Sequence, residues 1–185
     1  MRKNLILILI VIITICLVGA LVYYIKLDSF SFAWSLNFLL MMAALSYTET
    51  LQSELNSSYY DEKQWEQKGK IYENLGVNFF RKILVWIGWE KLNKKANPVK
   101  KDIAALYHLH YQTKKSELGH LIILLIVFGF NLFVAFKFGV LSSLWLLALN
   151  FLLNLYPIFL QRYNRPRIGR AIRLAKLRKT NSQIA

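Results

Sequence analysis

The sequence predicts an all-α integral membrane protein of about four transmembrane helices, with amphipathic interfacial helices and a basic C-terminal helix. Three observations carry that prediction. Hydrophobic residues make up 56% of the 185, and they fall in unbroken blocks instead of amphipathic stripes. The mean hydropathy is +0.34, above that of an ordinary soluble domain. The charges, which sum to +14, gather between the blocks, mostly where they would flank a bilayer span.

The first apolar run covers residues 4–25 and follows Arg2 and Lys3. It is longer than the roughly 7–15 residues of a signal-peptide core and ends in the interfacial pair Tyr23 and Tyr24, so it reads as an uncleaved span. A short turn leads to a second run, residues 30–47, which Trp34, Ser35 and Asn37 make less apolar. A span is favoured there over a re-entrant segment. The third and fourth runs, residues 119–136 and 140–160, are separated only by Lys137, Phe138 and Gly139, a tight helical hairpin.

Residues 48–117 form the long polar region, read as cytoplasmic and interfacial, within one membrane domain covering residues 1–185. Leu75, Phe79, Ile83 and Trp86 recur at three- and four-residue steps and predict one amphipathic helix over residues 66–93, ended by Ala96-Asn97-Pro98. Its aromatic content suits either a headgroup-bound helix or one packed on the protein. A second amphipathic stretch, residues 102–115, leads into the third span. Beyond the fourth span, residues 161–179 carry eight basic residues and no acid, the signature of a basic interfacial helix within the tail 161–185.

Lysine and arginine alone set the expected topology. The N-terminus has two, the central region twelve and the tail eight, whereas the two short turns have only Lys26 and Lys137. Four spans therefore put 22 of the 24 on one side, which the positive-inside rule makes the cytoplasm, with both termini there. The same distribution argues against nucleic acid as a partner and for membrane lipids. Cys16 lies inside the first run, so no disulfide framework is available.

Ionisable groups at the mouth of a span are costly and point to function. In Thr113-Lys114-Lys115-Ser116-Glu117-Leu118-Gly119-His120, Glu117 and His120 stand three apart at the start of the third span, on one helix face. A carboxylate can orient an imidazole, which can then take a proton from an attacking hydroxyl. The plainer reading has Glu117 capping the helix or pairing with Lys114, and His120 lying in the interface. His108 and His110 point to nearly opposite faces of a helix and no Cys or carboxylate cluster joins them, so no metal site is expected. Asn150 and Asn154 repeat at helical spacing in the fourth span. They either join helices by hydrogen bonds or, for Asn154, face a polar pocket. In Gln161-Arg162-Tyr163-Asn164-Arg165-Pro166-Arg167, the arginines suit anchoring or bidentate phosphate binding, with Pro166 fixing their presentation.

The segment Thr113–His120, the apolar hairpin and the heptapeptide starting at Gln161 together resemble the glycosyl-4,4'-diaponeurosporenoate acyltransferases, bacterial membrane enzymes that esterify a glucosylated carotenoid. Trp65-Glu66-Gln67-Lys68-Gly69-Lys70 is similar to that family's aromatic-Glu-x-x-Gly-Lys stretch. The resemblance runs from about residue 65 to residue 179, while the amino-terminal third departs from it. It implies acyl transfer in the bacterial cytoplasmic membrane, from an activated donor such as acyl-CoA as co-substrate, with no bound cofactor, to a hydroxyl of a glycosylated carotenoid or similar glycolipid. Chemistry then suggests His120 as base and Glu117 as its orienter. Arg162, Arg165 and Arg167 would hold donor phosphates beside Gln161, Tyr163 and Asn164, Asn154 would lie in the pocket, and Glu66 and Lys70 are further candidates. Two other classes fit the same composition: a transferase that methylates or otherwise modifies a lipid headgroup, and a non-catalytic scaffold binding anionic lipid or a partner.

Overall fold

The computed structural model describes residues 2–88 and 102–184. Among them the protein is helical, with no strand. The helices are α1 (Arg2–Tyr24), α2 (Phe30–Leu51), α3 (Lys70–Asn74), α4 (Val77–Trp86), α5 (Ile103–Phe138), α6 (Leu144–Asn150) and α7 (Tyr156–Ile184). Tight 3-10 turns lie at Ser58–Tyr60, Gln64–Gly69 and Leu141–Ser143. A π turn, Phe151–Leu155, joins α6 to α7. Four helices are long and apolar enough to cross a membrane: Arg2–Tyr24, Phe30–Leu51, Ile103–Phe138 and Leu141–Asn181. The all-α membrane fold expected from the apolar blocks is the one formed.

Element boundaries depart from expectation at several places. The helix expected over residues 66–93 is broken: Gly69 and Gly76 have φ of +85° and +86°, and the chain turns at each before α3 and α4. Its continuation to residue 93 and the Ala96-Asn97-Pro98 stop lie outside the described residues. The stretch 102–115 and the third apolar run are one uninterrupted helix, α5, because no proline falls between them. The basic tail likewise continues the fourth run without a break. Pro166 sits inside α7, where it cannot donate to the carbonyl one turn earlier, that of Arg162.

The chain forms two compact units: Met1–Glu54 with Leu118–Ile158, and Leu55–Glu117 with Phe159–Ala185. In the first, α1 is apolar all round and buries no residue, the pattern of a helix facing lipid. The side chain of Ser29 caps α2 by accepting from Phe32 N–H at 3.1 Å. Phe32, Leu36, Leu40 and Ala44 recur every fourth residue of α2 and pack with Ile123, Val127, Leu146 and Leu149. α2 runs to Leu51, beyond the expected 47. The Thr48 and Thr50 hydroxyls donate back to Ala44 O and Ser46 O, which satisfies them inside the helix.

A chain of amides ties this unit together. Asn154, fully buried in the π turn, donates to Asn37 Oδ1 at 2.7 Å and to Asn150 Oδ1 at 2.9 Å. Asn37 donates to Ala33 O at 2.8 Å, and Asn150 to Leu124 O at 3.0 Å. His120 Nδ1 lies 3.4 Å from the remaining acceptor, Asn154 Oδ1. In hydrocarbon each amide must find a partner, and here each does so on a neighbouring helix or turn.

Candidate active site

The second unit is built on buried acids that meet arginines across long stretches of sequence. Lys63 opens the Gln64–Gly69 turn, and its backbone N–H donates to Glu66 Oε2 at 2.7 Å. Gln67, Lys68 and Gly69 then hold three successive left-handed conformations, φ +49°, +56° and +85°. L-residues adopt this region singly at a cost of about 1–2 kcal/mol each, so a run of three is a built feature, not a drift of the backbone. Glu66 is buried there and accepts from Tyr72 Oη at 2.6 Å and Arg162 Nη1 at 3.1 Å.

Thr113 and Glu117 stand one turn apart on α5, and Arg162 and Arg165 three apart on α7, so each pair shares a helix face. Glu117 is fully buried. Its Oε1 accepts from Arg162 Nε at 2.6 Å and its Oε2 from Arg165 Nη2. Arg162 Nη2 also donates to Tyr59 O at 2.8 Å. Arg165 donates to Thr113 Oγ1 and to Tyr60 O, both at 3.1 Å. The guanidinium centres stand 4.6 Å and 5.4 Å from the rings of Tyr59 and Tyr60. Among the described residues these bonds use three of the five N–H groups on each arginine. Burial, and next the Glu117 carboxylate, pushes the phenols of Tyr59 and Tyr60 up. Burial and the hydrogen bond to Glu66 push Tyr72 further, so it stays a donor.

Arg167 has a different task. Its centre stands 3.5 Å from the ring of Tyr163, and it donates to Tyr163 O and Glu73 Oε1, both at 2.7 Å. Tyr163 in turn packs with Tyr72 and Val77. Gly69 lies against this arrangement: a Cβ there would stand 3.1 Å from Arg167 Nη1 and from Tyr163 O.

Beside the acid–arginine cluster opens a cavity of about 330 Å³. Arg162, Arg165, Lys114 and Arg173 bring positive charge to it, and Asp61, Glu62 and Glu66 negative charge. Tyr60, His110, Pro166 and Gly169 complete the wall. Such a mixture suits a polar, hydroxyl-bearing group better than a bare anion, because no one sign of charge dominates.

The structure thus gathers Glu66, Glu117, Arg162 and Arg165 into one cluster and places Tyr163 and Arg167 in the packing beneath Gly69. Gln161 and Asn164 are half-buried on α7, and Lys70 is exposed at the start of α3. The hydrogen bonds of the expected Glu117–His120 pair go elsewhere: Glu117 to the two arginines, His120 to Asn154. Asn154, expected to face a polar pocket, is fully buried among amides of the first unit. The sequence reading missed Asn37, Tyr72 and the Tyr59–Tyr60 carbonyls. The adjacent tyrosines before an acidic pair, Asp61-Glu62, were the available signal. Among the described residues, no three His, Cys, Asp or Glu side chains are grouped to hold a metal ion.

The fold and this polar cavity define a polytopic membrane protein with an ion-paired site outside its apolar runs. Residues 56–174 match the family model described as glycosyl-4,4'-diaponeurosporenoate acyltransferase. That is more than half of the chain, and the protein belongs to this family. No match is found among curated proteins or among solved structures. The matched residues include the whole acid–arginine cluster and every residue lining the cavity.

Proposed function

We propose that the protein transfers a fatty acyl group from an acyl-CoA thioester to a hydroxyl of a glycosylated carotenoid or a similar glycolipid. The observation that carries this reading is the coincidence of the family match with the cavity: all eleven lining residues fall within residues 56–174. A cavity lined by carboxylates and cations offers acceptors and donors to sugar hydroxyls. The guanidinium groups of Arg162 and Arg165, both on the cavity wall, offer donors to a phosphate or to a developing oxyanion. Both reactants carry long apolar chains, which the spans would keep in the bilayer while the reacting groups meet at its cytoplasmic edge. The setting is a bacterial cytoplasmic membrane with both termini on the cytoplasmic side.

Purified protein in lipid nanodiscs, given labelled acyl-CoA and a glycosylated carotenoid, is expected to yield the labelled ester, identified by mass spectrometry. No ester with this acceptor or with any glycolipid of a total lipid extract would overturn the reading. Label transferred instead from a nucleotide methyl donor would replace acyl transfer by headgroup methylation.

A further inference from the structure

We infer that His110 is the general base of the site, taking the proton from the acceptor hydroxyl as it attacks the acyl carbonyl. This rests on the acyl-transfer reading above and adds the residue that makes the hydroxyl a nucleophile.

The chain has three histidines, and the structure gives each a different setting. His108 is exposed, with its Nε2 3.3 Å from Gln112 Nε2. His120 is engaged with Asn154 in the amide network of the first unit. His110 alone lines the cavity. It is half-buried, and only its backbone is engaged, by the Thr113 hydroxyl at 2.7 Å. Among the described residues its imidazole has no hydrogen-bond partner, yet no buried side-chain nitrogen or oxygen there is left unpaired. Its nitrogens are therefore accessible, on a residue that lines the cavity. An imidazole held half out of water, with a nitrogen free to accept, is the form a base needs before its substrate arrives.

The surroundings fit the rest of the step. Lys114 lies one turn further along α5, and Arg162, Arg165 and Arg173 line the same cavity from α7. Opposite charge comes from Asp61, Glu62 and Glu66, and Tyr60 is part of the same wall. As the acceptor oxygen bonds to the carbonyl carbon, its proton passes to His110 and the carbonyl oxygen becomes an oxyanion facing these cations. Collapse re-forms the carbonyl and breaks the carbon–sulfur bond. The leaving thiolate takes the proton back from the imidazolium, so thioester and alcohol give ester and thiol with nothing else consumed.

The test is acyl transfer in nanodiscs by the full-length protein and by His110→Gln, His110→Ala and His108→Gln, from about pH 5 to about pH 9. His110→Gln is expected to lower kcat by about 10²- to 10⁴-fold, the range for loss of a positioned base, with little change in KM for acyl-CoA. The fall of kcat toward acid pH is expected to vanish with it. Added imidazole should restore part of the rate of His110→Ala, which separates lost chemistry from lost folding. His108→Gln is expected to keep the parental rate. Parental activity in His110→Gln would overturn the inference. So would an activity loss that leaves the acid limb in place and that imidazole does not relieve. A parental protein that transfers no acyl group would remove both this inference and the function on which it rests.

Discussion

Glu117 is buried to 0% exposure and divides its two oxygens between two arginines. A lone carboxylate in that position would cost several kcal/mol, and removing one partner of a buried pair typically costs about 3–5 kcal/mol. Glu66 is held in the same way, but with Tyr72 as one partner. Replacing Tyr72 by Phe removes a hydrogen bond to a charged group and is expected to destabilise the protein by about 1.5–3 kcal/mol, read as a lowered Tm in detergent. The sign with pH follows from the raised pKa of this phenol in the folded state. Its contribution is fully present below the ordinary phenol value of about 10 and is lost only as pH rises through the raised one. The Tm difference between parent and Tyr72→Phe should therefore stay constant from neutral pH to about pH 10 and shrink above it. A difference that grows with pH would contradict the assigned bond. Sequence alone pointed to Glu66, Glu117, Arg162 and Arg165 as site residues. It did not pair them, because Glu66 and Arg162 are 96 positions apart and no local periodicity links them.

At the scale of elements, hydropathy located the long helices well, while short-range backbone geometry went unread. The expected helix over residues 66–93 rested on apolar spacing, which is blind to φ, yet Gly69 and Gly76 were visible as breakers. Gly69 is needed for two reasons, its left-handed backbone and its approach to Arg167 and Tyr163 O. Gly69→Ala is expected to cost at least about 1–2 kcal/mol from the backbone alone. Gly169, by contrast, sits inside α7 with open space where a Cβ would go. Gly169→Ala should stabilise by roughly 0.5–1 kcal/mol through helix propensity. Thermal melts of the two variants should thus move in opposite directions. Equal shifts would mean that Gly69 has no special conformational task.

For the whole molecule, the charge distribution makes the most direct statement. With 22 of 24 basic side chains expected on one side, the turns at Lys26 and Lys137 belong on the other. In a Cys16→Ser background, single cysteines placed at Lys26 and Lys137 are expected to react with a membrane-impermeant thiol reagent added outside intact spheroplasts. Cysteines placed at Glu62 and Thr180 should react only after the membrane is opened. Labelling of position 62 or 180 in intact cells would reverse or break the four-span arrangement. At the exposed end of α7 the positive charge is still expected to act as a topological signal. Nearer the span, the structure diverts Arg162, Arg165 and Arg167 to buried or half-buried acids, which composition could not reveal.

The order of these partners along the chain has a consequence for biogenesis. A ribosome releases Glu66 and Glu117 first and their arginines 45 to 96 residues later. Until α7 emerges, both acids lack the counter-ions that let them be buried, so the second unit must wait for that helix. A nascent chain halted before Arg162 would hold its spans but not its site. Its unpaired acids would give membrane quality-control proteases a mark that a chain carrying α7 hides.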